Sequence, residues 1–147
     1  EWIIKEWGGP FAIKGIMTAT DAKRARSVGA TAVMLSNHGG RQLDFSPAPI
    51  DTLEQVVEAV GGGRRDFAPG GLRRGGPVLR ALALGAGACL GGPPTPGGLG
   101  AGGKRGVAGA SKIRRPEIGC KMDLLGGARL KDLDASWVRK VAGAWAS

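Results

Sequence analysis

Tyrosine is absent from this chain, histidine occurs once, and cysteine only twice. These shortages exclude several kinds of site. Cys89 and Cys120 stand 31 residues apart with no Cys-x-x-Cys pair and no second histidine, so a zinc site or a thiol redox motif lacks its ligands. Two reduced thiols and a cytoplasmic location are the expectation, with peripheral attachment to a membrane left open. A long apolar run is missing too. The longest uncharged stretch, Ala81 to Gly103, spans 23 residues, of which 12 are Gly or Pro, and it would leave backbone groups unmet in lipid. Nor does "EWIIKEWGGP" show the basic, apolar and small-residue order of a signal peptide; it reads as though cut from the middle of a longer protein.

What the chain has in excess is glycine, 28 in 147 residues, and positive charge, a formal +9. Neither is evenly spread. Residues 1–63 carry 6 basic and 7 acidic side chains (net −1) and 9 glycines; residues 64–147 carry 15 basic and 5 acidic (net +10) and 19 glycines. A net charge of that size attracts phosphate backbones. The arginine pairs at 64–65, 73–74 and 114–115 have no aromatic residues interleaved as stacking platforms, however, so a nucleic-acid partner is not expected.

The first half alternates regularly. "FAIKGIM" is a short apolar run between Pro10 and Thr18 and predicts a buried strand. In "TATDAKRARSVGA", Thr20 can cap a helix through Ala22, Ala25 and Val28 that Gly29 stops. "TAVMLS" predicts a second strand. Asp51 and Glu54 have capping-box spacing, and Leu53, Val56, Val57 and Val60 form one helical stripe ended by Gly61 to Gly63. Strands alternating with helices imply a parallel sheet with crossover helices.

The second half repeats the pattern faintly. A weak strand at Asp66 to Ala68 leads to the loop "PGGLRRGG"; Pro77 suits the first position of a helix through "PVLRALALG"; and "GACLGG" is a fourth strand candidate. "GGPPTPGGLGAGGKRG" has the makeup of a loop or disordered tract. Helical character returns in "EIGCKMDLLGG" and in "DASWVRKVAGAWA", where Trp137, Val138, Val141 and Trp145 make an apolar face.

In a parallel α/β fold, ligands meet the carboxyl ends of the strands. Lys14, Ser36 to Arg41 and Gly70 to Arg74 all fall at such ends and are expected to face one pocket. In "SNHGGRQLD", His38 suits a general base and Arg41 a bidentate carboxylate anchor on one tight glycine turn. A solvated turn with a surface histidine is the other reading. "GGLRRGG" offers amides, two arginines and a following helix N-terminus to a phosphate, or is simply a basic loop. Lys14 lies within an apolar strand, where a buried ammonium requires an anionic partner, unless it snorkels at the strand end.

Together, "IKGIMTATDAKRARSVGA", "SNHGGRQLD", "GGLRRGGPVLRALALGA", "GLGAGGKRGV" and "MDLLGGARLKDLD" resemble the FMN-dependent α-hydroxy acid oxidases and dehydrogenases, a family that includes glycolate oxidase, lactate oxidases and dehydrogenases, and mandelate dehydrogenase. The first 63 residues carry the better match. The resemblance implies an α/β chain forming the C-terminal half of a (β/α)8 TIM barrel, about four β/α units, with FMN at its carboxyl-end face. It also implies a small L-2-hydroxy acid as the substrate, oxidised to the 2-oxo acid. By position, His38 is the implied base and Arg41 the implied carboxylate anchor. Lys14 is implied beside the pyrimidine end of the flavin, where a positive charge stabilises the anionic reduced form; Ser36 is a further flavin contact. Gly70, Gly71, Arg73 and Arg74 match the phosphate loop, and Gly91 matches the glycine of a Gly-Arg pair that completes it.

This sequence departs from the family pattern at Pro69, where the phosphate loop opens on aspartate, and at Gly92, where the pair has its arginine. One lost charge-assisted hydrogen bond costs about 1.5–3 kcal/mol, roughly one to two decades of affinity. A complete barrel needs about 250 residues, and the family's tyrosines and the aspartate that steadies its histidine belong to the other half. Open sheet edges of this kind invite pairing with a second copy or with a missing N-terminal half. Two outcomes are therefore expected: a part of a working flavoenzyme, or a non-catalytic remnant that binds no flavin.

Overall fold

The computed structural model describes residues 1–61, 70–90 and 94–139. A short helix α1 (Trp2–Trp7) is closed by Gly8 in the left-handed conformation. Strand β1 (Ala12–Ile16), helix α2 (Ala19–Ser27), strand β2 (Ala32–Leu35), a 3-10 turn (His38–Gly40) and helix α3 (Pro49–Ala59) follow. Helices α4 (Gly75–Ala83) and α5 (Pro94–Leu125) and two 3-10 turns (Leu130–Asp132 and Ala135–Trp137) complete the described chain.

β1 and β2 pair in parallel with Ala12 opposite Ala32, Ile13 opposite Val33 and Lys14 opposite Met34; an irregularity between Lys14 and Ile16 then shifts the register. Alternation gives the sheet two unlike faces. Val33 and Leu35 are buried, with Ile13 packed beside them, in a core that Ala22, Ala25, Leu53, Val56 and Val60 complete from α2 and α3. The other face carries Ala12 and Lys14, both exposed, with Ala32 and Met34 only half-buried. A barrel would fill its interior from that face; here no described element covers it.

The helical stripe predicted for α3 is borne out, since Leu53 and Val56 are fully buried and Val57 packs against them. Gly29 ends the α2 segment with φ 96°. Several details differ. Thr18, not Thr20, caps α2, its hydroxyl accepting from the Asp21 amide at 3.1 Å. α3 opens at Pro49, which places Asp51 in its first turn without a side-chain cap. α4 begins at Gly75, so Pro77 is its third residue, where a missing N–H still costs nothing.

The largest correction is the tract expected to be a loop, which lies mostly in α5. Its prolines at 94 and 96 fall in the first helical turn, where their amides are not needed. Gly102 and Gly103 break the helix with non-helical torsions. The chain then folds back so that Gly98 faces the Gly106 backbone with no room for a Cβ on either. Glycine here serves close helix packing rather than disorder.

The fourth strand is not formed over residues 87–90, which have no strand partner among the described residues. The third, at 66–68, lies outside the described residues, as do Val141 and Trp145 of the predicted apolar face. The described part of that face, Trp137 and Val138, belongs to a 3-10 turn and an extended residue. Both pack against a second core of Leu79, Ala83, Met122 and Leu133, which joins α4 to α5. No described helix is long and apolar enough to cross a membrane.

Candidate functional site

At the carboxyl end of β2, Ser36 joins two strands. Its Oγ accepts from Lys14 Nζ at 3.1 Å and from the His38 amide at 3.2 Å. The parallel pairing of β1 and β2 brings Lys14 beside Ser36 across 22 residues of sequence. Lys14 is exposed rather than buried, contrary to the expectation from its apolar strand, because it points to the uncovered face of the sheet. It has no carboxylate partner among the described residues; the hydroxyl of Ser36 holds it.

The turn after β2 is built on Asn37. Its Oδ1 accepts from the Gly39 amide at 3.0 Å and its Nδ2 donates to the Pro47 carbonyl at 3.1 Å, closing the loop back towards α3. His38, Gly39 and Gly40 then take φ 56°, 72° and 71°. Glycine adopts that region freely, but a histidine pays for it in steric energy. The reward is orientation. The His38 ring lies against β1 at Gly15, whose missing side chain makes the space: a Cβ there would stand 3.2 Å from Cε1 of His38.

Arg41 folds towards the same turn, its Nε donating to the His38 carbonyl at 3.2 Å. That contact engages one edge of the guanidinium and leaves its two terminal nitrogens for a ligand carboxylate. Neither ring nitrogen of His38 has a hydrogen-bond partner among the described residues. The imidazole and the guanidinium thus share one turn, and the main chain links them.

The Gly70–Arg74 loop adjoins this cluster because the Gly70 amide donates to the Leu35 carbonyl at 3.1 Å. Leu72, buried in the main core, pins the loop. Gly71 takes φ 84°, and the exposed Arg73 side chain forms no ion pair or hydrogen bond with another described residue. Arg74 differs from its neighbour. Its Nε lies 2.5 Å from Oε1 of Glu117 on α5, while Oε2 of the same carboxylate accepts from the Gly75 amide at 2.7 Å. The Gly75 amide, foremost, holds the Glu117 carboxyl below its ordinary pKa; desolvation opposes this less strongly, and Arg74 and Lys121 add to the lowering.

Hydrogen bonds join Lys14, Ser36, His38 and Arg41 into one rim at the end of β2, the Gly70 amide ties the loop carrying Gly71 and Arg73 to the same strand end, and Gly91 lies outside the described residues. Three further residues shape the rim. Gly15 had a local signal, a glycine inside a strand pattern, and Asn37 had one in its turn chemistry. Glu117, 42 residues from Gly75, had none. A separate cavity of about 370 Å³ lies between α4, α5 and the last 3-10 turn, bounded by Leu79, Arg80, Lys121, Leu133, Trp137 and Arg139. None of the rim residues lines it.

Residues 1–140 match the family described as FMN-dependent dehydrogenase. The chain is 41% identical over 138 residues to an L-lactate oxidase of a Nostoc species, covering 94% of this chain and 38% of that protein. It is 42% identical over 139 residues to 2-hydroxyacid oxidase 1 of Mus musculus, covering 95% and 38%. A pre-mycofactocin synthase of Mycobacterium tuberculosis is 44% identical over 132 residues, with 90% and 33% covered. Among solved structures, a soluble mutant of the membrane-associated (S)-mandelate dehydrogenase of Pseudomonas putida superposes with a TM-score of 0.88 at 35% identity, over 94% of this chain and 39% of that one. A flavocytochrome b2 mutant with pyruvate bound gives 0.78 at 39% identity, over 87% and 34%. The chain therefore spans well under half the length of each of these relatives.

Proposed function

The chain belongs to the FMN-dependent dehydrogenase family, and from that premise we propose that it carries the base, the carboxylate anchor and flavin contacts of an enzyme oxidising a small L-2-hydroxy acid to its 2-oxo acid. The observation that carries this reading is the single turn in which His38, in a left-handed conformation, supplies both an imidazole directed at β1 and the carbonyl that holds Arg41.

The rim suits FMN. The Lys14 ammonium is exposed beside Ser36, free of any carboxylate among the described residues, and can face an anionic ring system. Gly71, without a side chain, and Arg73, which has no partner among the described residues, suit a phosphate on the adjacent loop. When bound, FMN supplies the acceptor for the hydride equivalent that leaves the substrate. The chain's own residues do the rest. Arg41 holds the substrate carboxylate through its two terminal nitrogens, which fixes the 2-carbon relative to His38. The unpartnered imidazole takes up the proton as the 2-oxo product forms. The names of the relatives point to lactate, mandelate and other 2-hydroxy acids, and the chain is read as a piece of a (β/α)8 barrel, of which the described residues form two strands, each followed by a helix.

A second reading is a non-catalytic piece that keeps the framework without binding flavin. The uncovered sheet face and the unpartnered ring of His38 favour it. Titration of the chain against FMN, followed by quenching of flavin fluorescence and then anaerobic addition of lactate, glycolate and mandelate, separates the two. Binding with bleaching of the visible band is the expected result, and absence of quenching leaves only the second reading.

A further inference from the structure

Two adjacent arginines on the Gly70–Arg74 loop are treated differently by the fold, and Glu117 makes the difference. The loop is fastened at its start by the Gly70 amide on Leu35 and in its middle by buried Leu72. Its end is fastened from α5: one Glu117 oxygen holds Arg74 and the other holds the Gly75 amide, the first of α4. This grip depends on close backbone approach, because a Cβ on Gly75 would stand 2.8 Å from both Cβ and the amide nitrogen of the Glu117–Ile118 segment. Glu117 is only 17% exposed at this contact, whereas Arg74 is 72% exposed.

We propose that Glu117 is a positioning residue for the phosphate group of the cofactor, a role that rests on the flavin reading above. Its carboxylate neutralises Arg74 and occupies the leading amide of α4. An incoming phosphate is thereby directed to Gly71 and Arg73, donors with no hydrogen-bond partner among the described residues. One arginine anchors the loop and the other meets the ligand, so the two are not interchangeable. Glu117 touches no ligand in this scheme and acts through Arg74 and the backbone of the loop.

The test compares FMN with riboflavin, which has the same ring system and no phosphate, in titrations of the wild-type chain, Glu117→Gln, Arg74→Met and the double variant. Glu117→Gln is expected to weaken FMN about tenfold while leaving riboflavin unchanged. Arg74→Met is expected to give the same pattern, and the double variant to be no worse than either, because the two residues act as one unit. Equal weakening of both ligands, no weakening, tighter FMN, or additive losses would each overturn the role. If the wild-type chain quenches neither flavin, the flavin reading fails on its own, and inorganic phosphate then decides the role of Glu117. A phosphate-dependent rise in melting temperature that Glu117→Gln abolishes would uphold it. The same rise in both chains, or none in the wild type, would overturn it.

Discussion

The His38 ring stands over Gly15, a residue of the neighbouring strand whose φ is 96°, so that a methyl group there would lie 3.2 Å from Cε1 of the imidazole. The strand and the turn therefore fit each other through an absence of side chain. The backbone at Gly15 is also one that L residues rarely adopt.

Gly15→Ala is accordingly expected to destabilise the chain by about 1–3 kcal/mol through left-handed strain and to displace His38. Urea unfolding measures the first effect. The second is read from the imidazole proton shifts of the one histidine in the chain, which move if its ring does.

Replacing His38 by Gln keeps a polar side chain and removes the proposed base. The expected loss in turnover of a 2-hydroxy acid is about 10²–10⁴-fold, with flavin binding retained. Stopped-flow reduction under anaerobic conditions checks it; a change below threefold would assign the proton to another group.

Arg41→Lys retains the charge but cannot form two parallel hydrogen bonds with a carboxylate. A loss of about 1.5–3 kcal/mol in substrate binding is expected, seen as a higher KM with fluorescence titration by FMN unchanged.

Acid should loosen the α4–α5 contact. The carboxyl of Glu117 is held below its ordinary pKa, so the folded chain binds that proton less readily than the unfolded chain does. The stabilising contribution is complete above the unfolded pKa and is lost as pH falls through the lower, folded value. Wild-type stability should decline across this acid range more steeply than that of Glu117→Gln, as thermal melts in a pH series would show.

Burial pushes the Cys89 thiol up to about 11, whereas Cys120 lies exposed on α5. The thiolate is the reacting form. Alkylation at pH 8 should therefore mark Cys120 first, and mass mapping of a brief iodoacetamide pulse will show the order.

Much of the first half was legible in the sequence because its signals are local. The β-rich run around Val33 and Leu35 and the helical stripe Leu53, Val56, Val57 and Val60 each follow from neighbours in the chain, and the structure forms the strand and buries the stripe. The tight turn at His38 was legible for the same reason, since its glycines lie beside it. Glu117 was not, because its role depends on the crossing of two helices and on the missing side chain of Gly75. The exposure of Lys14 was hidden as well, for an apolar strand reads alike whether one face or both are covered. The stretch from Pro94 to Gly103 misled because glycine and proline mark loops by their freedom or rigidity, yet proline suits a first helical turn and glycine a tight helix crossing.

The left-handed backbone at His38 sets stability against function. An L residue pays about 1–2 kcal/mol in that conformation, and glycine, its neighbour on the same turn, does not. His38→Gly is thus the substitution that the local geometry welcomes and that the proposed chemistry cannot use. A library screened for heat resistance alone would drift towards glycine at this position and fill with inert survivors, so any stabilisation of this fold by selection has to keep an activity or ligand-binding screen alongside it.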